Sequence, residues 1–424
     1  MLIEFSVENY RAFREKQTFS MVASATTERA GHGHVLNTGL SAVPHVLSEA
    51  CLFGANGSGK TSLIDAMRFM RSFVLNSFHE GPERAINVKP FKFHSTWRGR
   101  PSEFEVIFFH DEVLYQYGFV VNHARVWEEW LFTRPSSTGR ERHIFSRTYD
   151  PDTDAYDWDI NAEQLKGKRD SWKEATRQDA LFLTTAVHMN AESLNVVWNW
   201  IRSQWRLTTP EEMQAGSMSA TQSLEDEWKL RIVEFLKQAD ISLHDLRAEE
   251  KDMPEAFQDV VHAINRAVEN ENALDPKDMK RVEVHTVRLD DQETPVELPL
   301  EYESTGTRAL FNLSVPIMMA LDQGLALVVD ELNTGLHPLA FQHLVGMFAD
   351  PKINTKGAQL IFTTHDTSVS EQECMGRDQI WLVEKGRDLA AKLVPLSDFK
   401  ERGAKGFQKK YLDGRFGGVP RVAS

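Results

Sequence analysis

The sequence predicts an α/β fold: a mixed sheet flanked by helices that carries a phosphate-binding loop, interrupted by an inserted, mainly helical subdomain. Three observations carry that expectation. Leu52-Phe53-Gly54-Ala55-Asn56-Gly57-Ser58-Gly59-Lys60-Thr61 fits the pattern G-x-x-x-x-G-K-[ST] without a mismatch. The apolar run Leu325 to Val329 ends in Asp330-Glu331, and a second run, Gln359 to Phe362, leads into Thr363-Thr364-His365. Both read as short buried strands whose ends deliver polar groups. Between the loop and these strands, apolar residues recur at helical spacing over 161–280.

The segment 1–160 is expected to hold the first half of the nucleotide-binding domain. Leu2 to Val7 alternates apolar and polar residues, as a half-buried strand does, and Asn9-Tyr10-Arg11-Ala12-Phe13 follows directly. Residues 23–44 are rich in Ser, Thr, Gly and His and read as loop. Ala50 to Phe53 is a short core strand, and Thr61 opens a helix whose Leu63, Ile64, Met67, Met70 and Val74 share one face. Glu103 to His110 and Val113 to Val121 read as two strands joined by His110-Asp111-Glu112.

The insertion, 161–280, shows two helical faces. Leu194, Val197, Trp198, Ile201 and Trp205 mark one, and Trp228, Ile232, Phe235 and Leu236 the other. Tryptophans at that spacing read as packing surface. From 281 to 424 the nucleotide fold resumes, with strands at Val282 to Leu289 and Pro295 to Leu300. No internal repeat and no long heptad run is present.

Composition bounds the function classes. With 424 residues and 41% hydrophobic content, the chain can bury a full core in two or three domains. A net charge of −14 argues against a surface that coats nucleic acid, although a local basic patch leaves DNA open as a partner. Cys51 and Cys374 lie too far apart to suggest a disulfide framework or metal cluster, which fits a reducing cytoplasm. No basic leader or uncharged apolar run of membrane-spanning length is visible, so neither secretion nor a membrane location is expected.

The loop assigns Asn56, Gly57, Ser58, Gly59, Lys60, Thr61 and Ser62 to nucleoside triphosphate binding. Its glycines let backbone N–H groups approach phosphate oxygens at a helix N-terminus, Lys60 supplies positive charge, and Thr61 can ligate Mg²⁺. Asp330 is expected to hold Mg²⁺ through its water shell, and Glu331 to orient the water that attacks the γ-phosphate. His365, 35 residues after Asp330, can hydrogen-bond that phosphate and sense its loss. Glu303-Ser304-Thr305-Gly306-Thr307-Arg308 opens an apolar run, with Ser304 as N-cap and Gly306 permitting close approach. It is either a capped helix that binds nothing or a second anion-binding helix start.

Phosphate loop, Ser-x-Gly helix start, Asp-Glu strand and His strand end, in that order, resemble the ABC-class ATPases. Phe5 to Phe13 looks like the opening of their soluble SMC, RecF and OLD branch. Asp330 to Pro338, with Leu336-His337-Pro338, and Tyr411 to Pro420 are similar to OLD-like and RloA-like members. The resemblance implies ATP and Mg²⁺ as ligands, ATP hydrolysis, and a homodimer or higher oligomer in which two chains sandwich ATP head to tail. Ser304 and Gly306 of one chain would then face the γ-phosphate at Lys60 of the other, with Arg11 among the nucleotide-binding residues. Thr305, Thr307 and His337 depart from the usual pattern, and Gln116 is either its glutamine-loop residue or a cross-strand surface residue.

Proteins of that branch imply a sensor or regulator in bacterial anti-phage defence, triggered by a phage protein. Only 59 residues follow His365, so a nuclease or toxin effector is expected on a separate partner protein. Two rivals remain. One is a DNA-repair or chromosome-maintenance ATPase of RecF and SMC kind, using the stretch 400–421 with seven Lys or Arg against two acids. The other is a nucleotide-dependent scaffold with negligible turnover.

Overall fold

The computed structural model describes residues 1–24, 34–79, 85–208, 218–255, 257–259, 280–366, 375–399, 409 and 411. Cys374 and, apart from Lys409 and Tyr411, the basic stretch 400–421 lie outside the described residues. The fold is mixed α/β, as the alternation of strand and helix patterns predicts, and it divides into two compact units. The first comprises 1–207, 320–332 and 344–424, and the second 208–319 and 333–343.

Among the described residues the first unit contains two large sheets and one two-stranded sheet. One large sheet is antiparallel, in the spatial order Ala155–Ile160, Arg142–Asp150, Val126–Pro135, Val113–Val121, Ser102–His110, Leu2–Glu8 and Gln17–Ser20. The sequence marks three of these strands. Of those after 125, Val126–Pro135 carries charges and aromatics on both faces, which weakens its alternation, whereas Ala155–Ile160 alternates acids with Tyr156, Trp158 and Ile160 and was not read. Two short strands, Val35–Asn37 and His45–Leu47, pair, the first of them inside the stretch 23–44 expected as loop.

The other large sheet positions the site. Ala326–Val329, Gln359–Thr363, Glu49–Phe53 and Ile380–Lys385 lie side by side and parallel, with Trp205–Thr208 and the antiparallel Ala391–Pro395 at the edges. Three of these central strands, Ala326–Val329, Gln359–Thr363 and Glu49–Phe53, are buried at every position, which explains why they read as continuous apolar runs. Glu49–Phe53, first of the four in the chain, sits between the third and fourth. The crevice beyond the strand ends at such a reversal is where open α/β sheets take ligands. Helix Lys60–Asn76 leaves that crevice and buries Leu63, Ile64, Met67, Met70, Phe73 and Val74.

The expected helical face at Leu194 to Trp205 forms one continuous run that changes pitch, through Glu192–Leu194, Asn195–Asn199 and Trp200–Gln204, before the chain extends at Trp205–Thr208. Packing decides this. Trp200 lies flat on Phe108 with ring centres 4.0 Å apart, and Trp205 tilts against Phe5 at 5.8 Å.

The second unit holds helices Met218–Gln222 and Asp226–Gln238 and most of Thr305–Gln323. It also holds a three-stranded antiparallel sheet, Asp245–Asp252, Lys280–Leu289 and Pro295–Pro299. Asp245–Asp252 escapes the sequence reading because it is mostly charged and exposed, with one buried residue, Leu246. Among the described residues no helix is long and apolar enough to cross a membrane.

Candidate functional site

The phosphate loop follows the buried strand Glu49–Phe53 and ends at helix Lys60–Asn76. Gly57 and Gly59 have φ of 72° and 118°, where a side chain is strained, and a Cβ on Gly54 would come within 2.5 Å of the Val383 carbonyl oxygen. The loop is therefore built for glycine at these points. Lys60 is 6% exposed, and its Nζ donates to the carbonyls of Gly54 and Ala55 at 2.7 and 3.2 Å. Burial lowers its pKa to about 8, against an opposing pull from Glu331 and Asp330. The buried Ser58 Oγ has no partner among the described atoms, as expected of a donor group waiting for a ligand.

Asp330 and Glu331 follow the strand Ala326–Val329 and are fixed from the neighbouring strand. Thr363 Oγ1 donates to Asp330 Oδ1 at 2.6 Å and accepts the Glu331 backbone N–H at 2.7 Å. Thr363 is fully buried, and Glu331 holds a left-handed φ of 50°, costly for a residue with a Cβ. The sequence reading assigned Thr363 no role. His365 lies 3.4 Å through Nδ1 from Lys60 Nζ and 3.7 Å through Nε2 from Glu331 Oε1. Burial, then the Lys60 charge, lowers its pKa, which favours the neutral imidazole at neutral pH.

The Asn9 to Phe13 segment explains the rest of the cleft. Asn9, fully buried with φ 52°, donates through Nδ2 to the carbonyls of Trp97, Arg100 and Pro101 and accepts the Phe91 N–H through Oδ1. Arg11, φ 46°, donates its N–H to the Lys89 carbonyl at 2.8 Å, and its guanidinium pairs with Asp65 on the phosphate-loop helix. These bonds bring the segment 86–101 beside the loop, which sequence spacing could not reveal.

The resulting cleft measures about 1890 Å³ and is lined by Arg11, Asn56, Gly57, Gly59, Lys60, Thr61, Ser62, Glu331 and His365, among others. Ser58 and Asp330 lie buried just behind it, 3% and 6% exposed. Among the described residues six cationic side chains line it, Lys89, Lys92, Arg98 and Lys385 joining Arg11 and Lys60, against the single carboxylate of Glu331. In a chain of net charge −14, this concentrates positive potential where a polyphosphate would enter. The Thr61 hydroxyl and the Asp330 carboxylate are hard oxygen donors of the kind Mg²⁺ takes with water. Among the described residues no cluster of three or more His, Cys, Asp or Glu forms a cation site of another type.

Gln116 bonds Glu105 across the antiparallel sheet at 2.9 Å and does not line the cleft, which favours its cross-strand reading. In the second unit, Ser304 Oγ accepts the Thr307 N–H at 3.1 Å and caps helix Thr305–Gln323. A Cβ on Gly306 would come within 2.7 Å of the Gly335 carbonyl oxygen, so that helix start and the turn at Gly335 need glycine to approach. Buried Glu303, bonded by Arg288 and Thr286, anchors the same helix start. His337 Nδ1 accepts the Leu339 N–H at the start of Pro338–Ala349, a capping role.

A family model described as "AAA domain, putative AbiEii toxin, Type IV TA system" matches residues 50–183 and 191–371, which is most of the chain. No curated protein matches. Among solved structures, the SMC head domain from Thermotoga maritima is similar at 11% identity and a TM-score of 0.41, over 93% of this chain and 98% of that one. The SmcHead bound to the C-winged helix domain of ScpA is similar at 14% identity and 0.38, over 93% and 96%. The Smc head domain with an extended coiled coil, bound to the C-terminal domain of ScpA derived from Pyrococcus furiosus, is similar at 13% identity and 0.41, over 98% and 99%. Likenesses at these TM-scores add nothing to what the cleft itself carries.

Proposed function

The chain belongs to the AAA-domain family whose model it matches, and on that premise we propose that it binds ATP with Mg²⁺ and hydrolyses it as a sensor or regulator in bacterial anti-phage defence. The observation that carries the chemistry is the grouping of Lys60, His365 and the Thr363-fixed Asp330-Glu331 pair at the ends of adjacent parallel strands, facing a cation-lined cleft. Asn56 to Ser62 hold the phosphates, with Arg11 beside them. Thr61 and Asp330 hold the Mg²⁺, which when bound neutralises charge on the β- and γ-phosphates. Glu331 accepts the proton of the attacking water, and neutral His365 hydrogen-bonds the γ-phosphate.

Ser304 and Gly306 act on the nucleotide of a partner chain, so ATP closes a homodimer. The defence role rests on the family resemblance and on the toxin–antitoxin wording of the matching family's description. A nuclease or toxin effector on a separate protein, released by a phage protein, completes the reading.

Glu331→Gln tests the chemistry. The variant is expected to keep ATP affinity, lose turnover by about 100-fold or more, and accumulate as an ATP-bound dimer in light scattering. Unchanged turnover would remove Glu331 as the base, and a wild-type chain that binds no ATP would remove the whole reading. In the same assay, turnover indifferent to duplex DNA supports the sensor, whereas steeply salt-dependent DNA binding favours a DNA-repair or chromosome-maintenance ATPase.

A further inference from the structure

We propose that His79 and His188 form a two-histidine site for a divalent transition cation, remote from the phosphate loop. His79 lies just past helix Lys60–Asn76, its N–H bonded to the Asn76 carbonyl at 2.9 Å. His188 is the last residue of helix Phe182–His188. Their Nε2 atoms stand 2.9 Å apart.

Three features make this pair a ligand set. His188 Nδ1 donates to the Thr184 carbonyl at 2.8 Å, which makes its Nε2 an acceptor facing His79 Nε2; such a bond from the second ring nitrogen is the usual support of a metal-bound histidine. The His188 ring is held on two sides, stacked with Phe78 at 4.9 Å and met edge-on by Trp198 at 5.8 Å. The third feature is the convergence of the two rings, whose centres are 4.6 Å apart with planes at 85°.

Two imidazole nitrogens bound at a right angle to one metal, each about 2.05 Å from it, stand about 2.9 Å apart with ring centres about 4.5 Å apart. Both distances match the pair. Without a cation, His79 Nε2–H donates to His188 Nε2 at this distance, and a bound cation would displace that proton. An imidazole pair takes Cu²⁺, Ni²⁺ or Zn²⁺ in preference to oxygen-seeking Mg²⁺, and Cu²⁺ and Ni²⁺ serve as the probes. Among the described residues no third His, Cys, Asp or Glu joins them, and His79 is exposed.

The test uses the full chain titrated with Cu²⁺ and followed by electron paramagnetic resonance, with Ni²⁺ binding measured by calorimetry. One equivalent of Cu²⁺ is expected to show coupling to two nitrogens, with the melting temperature raised by saturating Ni²⁺. His79→Gln and His188→Asn should each weaken binding by about tenfold or more and abolish the two-nitrogen pattern. His79→Gln should keep ATP affinity, which certifies its fold. An unchanged nitrogen pattern in His79→Gln, or wild-type affinity no higher than that of the double variant, would overturn the site.

Discussion

Thr363 shows how one hydroxyl can govern a reaction without touching its substrate. It donates to Asp330 Oδ1 and receives the N–H of Glu331, so the two carboxylates inherit their placement from the strand beside them. Removing the hydroxyl takes this partner from the part-buried Glu331 N–H and from the buried Asp330 carboxylate, and loosens the hold on the left-handed backbone of Glu331. Thr363→Val, of nearly equal volume, should therefore lower the turnover number by about 10- to 100-fold while the ATP dissociation constant stays within about twofold. Thr363→Ser, which restores the hydroxyl, should recover most of the rate. Equal loss in both variants would assign Thr363 to packing alone. Lys60 was legible in the sequence from the glycine pattern of its loop, and Asp330, Glu331 and His365 because they follow short apolar runs. Thr363 was not, because a threonine inside a strand carries no pattern of its own.

The elements that build the cleft are tied together by Asn9. Its side chain satisfies three carbonyls and one N–H of the segment 86–101, and its left-handed backbone is one that asparagine tolerates better than most residues. Asn9→Ala removes these bonds from a fully buried position and is expected to cost about 2–4 kcal/mol, read as a lower urea midpoint with unchanged slope. Its ATP affinity should fall as well, since Lys89, Lys92 and Arg98 would no longer be held at the cleft. A midpoint within error of the wild type would show that the segment needs no such anchor. Three of the four parallel core strands and the phosphate-loop helix were readable from local pattern, whereas Ile380–Lys385 was not read. The cationic wall was not, because long-range bonds between 9 and 101 assemble it, and the exposed strand Asp245–Asp252 was hidden because nothing on it alternates.

At the scale of the whole molecule the phosphate loop and the Ser304 helix start belong to different compact units. The proposed sandwich makes each unit complete a site on a second chain, and two-fold symmetry then gives a dimer two identical composite sites. That arrangement predicts complementation. Lys60→Ala abolishes nucleotide binding at its own loop but leaves its Ser304 helix intact. Ser304→Arg blocks the γ-phosphate contact yet keeps a working loop. Each variant alone should be inactive. In an equimolar mixture about half of the dimers pair one of each, and one of the two sites in such a dimer joins an intact loop to an intact helix, so turnover should return to about a quarter of the wild-type value. Activity rising with the concentration of either partner would fit exchange between dimers. A mixture as inactive as its components, with mixed dimers demonstrated by mass spectrometry, would show that loop and helix do not meet across chains, and that nucleotide state cannot report dimer geometry in this protein.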